Sequence, residues 1–432
     1  MFHEIYPLLM ELFHVLLHKI RDTFRIMHLK KKNVLISKQL EKVIIIGIIS
    51  DLFKMPHLFV VVYDLFREEE TATDKLFKNK IKSMSEIVNS ITLFTNKVNY
   101  HSMGNVKVLK PEISFKSKIL NLLLLNLFVA VKFKKQKGTW NDNEPVFYLI
   151  GSFFIFLALY LKYIKKVKVI VDVDTWFVCY NYSEVIATFF WFFLEKFIEP
   201  LNKLFYSVTL NEYEASYLIK KGFSPNKVSI CHIAAPNLSL NDKKSCRLEL
   251  LREYGLPENS FLLAFHGPGN APHNIETVKL IIQTANKLKE EKRMKFLIIG
   301  GGYNSTELGY LDKNESIIFT GFLDNEKMYC VLRGSDIYFC PIGTGFLGGT
   351  KTKMAEAAML GLPVVTNRLG ALGYNENFLP FLYDDDLMNS ILYLYSSDNL
   401  LELGEKTRSY IIQNYSLKNM VKFYNSLFSY LS

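Results

Sequence analysis

Short, unbroken apolar runs set the pattern of this chain. Val43 to Ile49, His57 to Tyr63, Ser90 to Thr95 and Val106 to Leu109 are rich in β-branched and aromatic residues and are separated by polar or helical stretches. Further along, helical spacing predicts helices over Ser117 to Lys134 and Ser152 to Lys165, set among strands at Val146 to Ile150 and Val167 to Val173. Strands that are apolar throughout, rather than at every second position, belong to parallel sheets covered by helices on both faces. A long aromatic helix over Ser183 to Leu201, a strand Leu204 to Leu210, a helix Glu212 to Lys221 closed by Gly222, and a strand Lys227 to His232 complete the first half. Ahead of all these, Ile5, Leu8, Leu9, Leu12, Phe13, Leu16 and Leu17 share one helical face within Met1 to Leu29. That face either packs on a partner domain or lies on a membrane surface beside Lys30 to Lys32.

Pro236, Asn237 and Asn241 interrupt the pattern, which predicts a linker over 236–245 between a first domain, 1–235, and a second, 246–414. The second repeats the alternation, with strands Phe261 to His266, Phe296 to Ile299, Ile317 to Thr320, Ile337 to Cys340, Pro363 to Thr366 and Phe381 to Tyr383. Helices are expected at Asn274 to Leu288, Lys351 to Leu360, Asp385 to Ser396 and Leu400 to Asn414, with a last one at 415–432. The expected fold class is α/β, two Rossmann-like domains with parallel sheets facing a central cleft. Several strands of the second half run into glycine: Gly267 and Gly269, Gly300 to Gly302, Gly321, and the loop holding Gly343, Gly345, Gly348 and Gly349. Open α/β sheets bind ligands at the carboxyl ends of their strands, so these glycines mark the expected site.

Composition narrows the class. With 432 residues, 49% hydrophobic and 14% aromatic, the chain is core-rich and long enough for two domains. Residues 1–240 hold 32 Lys and Arg against 21 Asp and Glu, whereas 241–432 hold 20 against 21, so the +10 charge belongs to the first half. A basic, aromatic half suits a phosphorylated or lipid-linked acceptor or an anionic membrane surface; no nucleic-acid motif accompanies it. The apolar runs Pro145 to Leu161 and Ile119 to Val131 fall short of the roughly 18 residues of a membrane span. No basic leader opens the N-terminus, and the five cysteines show neither paired nor metal-like spacing. A cytoplasmic protein, free of disulfides and possessing at most a peripheral membrane contact, is the expectation.

The densest chemistry lies between Cys340 and Thr366. Glycines there let backbone N-H groups turn toward an anion, and the helix opening at Thr350 or Lys351 adds the positive end of its dipole. Lys351 and Lys353 bring two cations to that end, an unfavourable position unless a bound anion offsets them. Glu356, one turn on, can accept from hydroxyls of whatever carries the phosphate, or can pair with the lysines on a solvent-facing helix. Asp172, Asp174 and Trp176 end the strand Val167 to Val173, where a carboxylate can orient a hydroxyl or act as a base, and Asp174 can equally cap a helix.

The passage Gly348 to Val365 resembles the nucleotide-sugar-binding loop and helix of family 4 of the retaining glycosyltransferases, whose pattern here reads G-G-T-(R/K)-x-K-x-x-E-A-x-x-x-G-x-P-V-V. The stretch V-T-L-N-E-Y-E-A-S-Y-L-I-K-K-G-F-S-P-N-K-V-S-I resembles the last βαβ unit of that family's first domain. The resemblance implies the GT-B fold, a last helix crossing back to the first domain, and a sugar transferred from a nucleotide-diphosphate donor, the co-substrate, to a glycan or lipid-linked acceptor. It implies donor contacts from Gly267, Gly269, Asn270, Gly302, Phe322, Gly348, Gly349, Thr350 and Glu356. Lys351, Lys353 and Asp174 would serve catalysis, with no cofactor and no metal. Two departures stand out. Gly348 occupies the place of the first Glu in a Glu, seven residues, Glu signature that Glu356 completes, and Pro268 or Gly269 and His273 replace an Arg and a Lys. A catalytically silent relative and a nucleotide-sugar epimerase of the same fold are the alternatives.

Overall fold

The computed structural model describes residues 57–62, 72–95, 102, 104–111, 118–135, 145–151, 154–173, 199–240, 242–269, 271–303, 314–343, 350–374, 382–383 and 386–431. The segments Met1 to Leu29, Val43 to Ile49 and most of Ser183 to Leu201 lie outside them, as does Asp174.

In the first half, the order is β1 (Leu58–Val62), α1 (Ala72–Ser85), β2 (Ile91–Thr95), β3 (Val106–Leu109), α2 (Lys118–Lys135), β4 (Val146–Ile150), α3 (Ile155–Leu159), β5 (Lys168–Asp172), α4 (Glu199–Asn202), β6 (Tyr206–Thr209), α5 (Glu212–Lys220) and β7 (Val228–Ile230). The strands form a seven-stranded parallel sheet, β3-β2-β1-β4-β5-β6-β7. Continuous apolar runs are needed because both faces are covered: Leu58, Val60 and Val62 point into one core and Phe59 and Val61 into another. The helix predicted over Ser152 to Lys165 is instead a short α-helix that widens to a π-helical turn over Tyr160–Ile164, where the Lys165 N-H reaches back to the Tyr160 carbonyl.

The second half runs α6 (Lys243–Glu253), β8 (Phe261–His266), α7 (Pro272–Lys287), β9 (Met294–Ile299), β10 (Ile317–Gly321), α8 (Asn325–Gly334), β11 (Ile337–Phe339), α9 (Thr352–Met359), β12 (Val364–Thr366), α10 (Arg368–Ala371), β13 (Leu382–Tyr383), α11 (Leu387–Tyr395), α12 (Leu400–Asn414) and α13 (Leu417–Leu431). Its six strands are ordered β10-β9-β8-β11-β12-β13. Helix α6 begins within the segment read as linker, after Asp242 in a left-handed conformation.

Helix α13 buries Met420, Tyr424, Leu427, Phe428 and Leu431 and packs on α1 of the first half. At the centre of that contact the Tyr424 hydroxyl lies 3.1 Å from that of Tyr148 on β4, which donates to Asp172 Oδ2 at 2.7 Å. The same oxygen is ion-paired with Lys80 of α1, and both residues are fully buried. Of the two carboxylates at the end of this strand, β5, Asp172 is held by Tyr148 and Lys80 inside the contact between the halves.

The cysteine reading also needs correction. Cys246 on α6 and Cys330 on α8 have Cα atoms 5.1 Å apart and form a disulfide across a separation of 84 residues. No spacing in the sequence signals it, because side-by-side packing of the two helices makes the pair; Arg247 of α6 also donates to Asp336 Oδ2, just beyond α8, at 2.9 Å. Cys231 and Cys340 are free and buried.

Two measurements check these arrangements. Lys80→Met leaves the Asp172 carboxylate buried without its cation and should cost about 3–5 kcal/mol in urea unfolding, with Lys80→Met/Asp172→Leu recovering much of it. Dithiothreitol should lower the unfolding free energy by about 2–4 kcal/mol in the native chain and change a Cys330→Ser variant little.

Candidate functional site

The strand order places the site. From β8 the chain passes outward to β9 and β10, then returns to β11 on the opposite side of β8. That reversal of strand order is a topological switch point, and open α/β sheets bind ligands in the crevice at the carboxyl edge beside it. The loop after β8 leads into α7 and the loop after β11 into α9, so both helices start at this crevice.

Close backbone packing explains part of the glycine pattern. The Gly269 N-H donates to the Gly301 carbonyl at 2.8 Å and the Tyr303 hydroxyl to the Gly267 carbonyl at 2.8 Å. A Cβ on Gly269 would collide with the backbone of Gly302 and Tyr303, and Gly300, at φ 146°, has no room for one against the Gly267 carbonyl. The loops after β8 and β9 are thus pressed together, which holds Gly267 to Gly269 in place beside the crevice.

Lys353, one residue into α9, donates to Asn274 Oδ1 of α7 at 2.6 Å and lies 4.7 Å from the Phe265 ring centroid. Asn274 in turn donates to the Pro268 carbonyl at 2.9 Å. This chain of contacts ties the two helix starts together. Lys351 is not in the first turn, as its spacing had suggested; it is the residue before α9, extended and buried, and its carbonyl accepts from the Tyr374 hydroxyl at 2.7 Å. Among the described residues, no side chain caps the N-terminus of α7 or α9. The positive end of each helix dipole there favours an anion.

Glu356 is buried, and its Oε2 lies 3.1 Å from Nε2 of His266, the last residue of β8. This is neither the solvent-facing pairing with lysine nor an open carboxylate. Thr350 is buried at the contact with the first half, where its hydroxyl donates to the Gly373 carbonyl at 3.2 Å and accepts from Asn211 Nδ2 at 3.4 Å. Phe322 stands 82% exposed just past β10, with Gly301 packed against its Cβ, and Gly302 follows in a left-handed conformation at φ 86°. Asn270, Gly348, Gly349 and Asp174 lie outside the described residues. Sequence reasoning passed over His266 and Asn274 as site residues. The one available signal for His266 was a titratable residue closing an otherwise apolar run, F-L-L-A-F-H. Among the described residues no group of three or more His, Cys, Asp or Glu is placed to hold a metal, and no helix is long and apolar enough to cross a membrane.

Residues 261–397 match the family described as glycosyl transferases group 1. An uncharacterized glycosyltransferase of Methanocaldococcus jannaschii is 28% identical over 167 residues, which is 36% of this chain and 42% of that relative, so the match spans less than half its length. The fold is that of GT-B glycosyltransferases. Sucrose-phosphate synthase from Thermosynechococcus elongatus superposes with a TM-score of 0.64 at 12% identity, over 87% of this chain and 99% of its own. Anabaena HepE, solved with UDP and glucose, gives 0.61 at 10% identity, over 87% and 99%.

Electrostatics at the crevice of this domain favour an anion. Burial pushes the Lys353 ammonium below its ordinary pKa, against the opposing pull of Cys340 and Glu356. Burial, and then the charges of Lys353 and Lys351, push His273 down to about 4, so it is neutral at pH 7. An unfolded histidine titrates near 6.5, so between about 6.5 and 4 the unfolded chain takes up the proton more readily and stability falls as the pH drops. His273→Asn should remove up to about 3 kcal/mol of this acid-limb slope, read from urea midpoints between pH 7 and pH 4.

Proposed function

We propose that this chain is a retaining glycosyltransferase that moves a sugar from a nucleoside diphosphate to a glycan or lipid-linked acceptor presented by its basic first half. The convergence of Lys351, Lys353 and two uncapped helix N-termini on one switch-point crevice carries the reading. As the bond between sugar and diphosphate breaks, negative charge grows on the leaving phosphate and positive charge on the sugar ring. Preorganised cations and N-H dipoles that meet the departing phosphate stabilise that transition state more than the ground state. In this reading the charge is met by protein groups and a divalent metal has no required part. Glu356, held by His266, accepts from hydroxyls of the nucleoside, and exposed Phe322 beside Gly302 offers an aromatic face for the base. HepE was solved with UDP and glucose, which supports a donor of this class.

The assay is release of nucleoside diphosphate from a panel of nucleotide sugars, with donors first ranked by thermal shift, since a ligand in excess stabilises the state it binds. Lys353→Ala should lower turnover by about 10²–10³-fold, the usual size for loss of one transition-state donor. Binding without any turnover would instead indicate the silent relative. Sugar interconversion without an acceptor would indicate the epimerase.

A further inference from the structure

Resting on the donor reading above, we propose that Asn274 is a positioning residue: its uncharged side-chain amide fixes Lys353 at the crevice and leaves the ammonium's charge for the diphosphate. Asn274, the third residue of α7, is 1% exposed, and its two polar atoms have opposite duties. Nδ2 donates to the Pro268 carbonyl at 2.9 Å, and Oδ1 accepts from Lys353 Nζ at 2.6 Å. A carbonyl can only accept and an ammonium can only donate, so the amide has a single orientation that serves both. Gly267 lies against it without a side chain; a Cβ there would come within 2.9 Å of Asn274 Cγ, Oδ1 and Nδ2. The amide is thus clamped between the loop after β8 and the lysine of α9.

Both of these contacts to Lys353, the Asn274 amide oxygen and the Phe265 ring face at 4.7 Å, are uncharged. An amide oxygen and a π face attract a cation without cancelling its charge, whereas a carboxylate in the place of the amide would close an ion pair. The titratable groups that share the surroundings of Lys353 are Lys351 before α9, Glu356 on α9, His273 on α7 and Cys340 just past β11. Cys340 and Glu356 favour the ammonium, but burial outweighs them and lowers its pKa. Released from the amide, the flexible four-carbon stem takes several rotamers, and a buried ammonium with one acceptor fewer gives up its proton more readily. The Asn274 bond takes one ammonium N-H and leaves the others for phosphate oxygens. Because Asn274 stands on α7 and Lys353 on α9, the same bond sets the lysine's place relative to both helix starts.

Isothermal titration with inorganic pyrophosphate, together with the pH profile of kcat/KM for nucleoside diphosphate release, tests this. Asn274→Ala should weaken pyrophosphate binding by about tenfold in the native background and by less than about twofold in Lys353→Ala, because the amide acts through the lysine. The alkaline limb of the profile, set by loss of the Lys353 proton, should move to lower pH in Asn274→Ala. Asn274→Asp should move it to higher pH and still weaken pyrophosphate binding, because the carboxylate retains the proton while cancelling the charge. In the native chain, the ¹⁵N resonance of Asn274 Nδ2 should shift as Lys353 titrates and again when pyrophosphate binds, a readout independent of any variant's folding. An equal loss of affinity from Asn274→Ala in both backgrounds, alkaline limbs that move the same way in the two Asn274 variants, or a native Nδ2 resonance unmoved by pyrophosphate overturns the proposal and leaves the donor reading standing. A native chain that binds no pyrophosphate and releases no nucleoside diphosphate from any nucleotide sugar overturns both.

Discussion

Two helices begin at one crevice, and the cations beside them are partly withheld from water. An uncapped helix N-terminus favours anions, and a lysine placed there raises the free energy of the empty protein unless something negative arrives. Lys351 and Lys353 accept that disadvantage, and His273 nearby is held in its neutral form by burial and then by their charges. The structure tolerates the strain because Asn274, Pro268 and the Phe265 ring hold Lys353 in place. A site organised in advance for negative charge can act on a transition state without having to rearrange.

The remainder of the molecule keeps that crevice in a fixed relation to the first half. Asn211 caps α5 by accepting from the Glu214 N-H and donates across to Thr350, next to Lys351. On the other side, α13 returns to the first half and docks against Tyr148, whose hydroxyl also serves Asp172 and through it Lys80. A buried ion pair adds little net stability by itself, yet it penalises any packing that separates its members. The pair thus specifies how α1, β4, β5 and α13 assemble. The Cys246–Cys330 link acts likewise within the second half, fastening α6 to α8.

The sequence alone determined the alternation of apolar strands and helices, because strands buried on both faces cannot be written any other way. It also marked the candidate anion site, since glycines before a lysine-bearing helix start are a local feature. Helices α1, α6 and α8 were less legible, because their apolar positions are few and their stability comes from neighbours. What only the tertiary structure decided is which side chains meet: His266 with Glu356, Lys353 with Asn274, Asp172 with Lys80, Cys246 with Cys330. Each pair joins residues distant in the chain, and the strand crossover at β8 and β11, which brings the first two together, leaves no periodic trace in the order of residues.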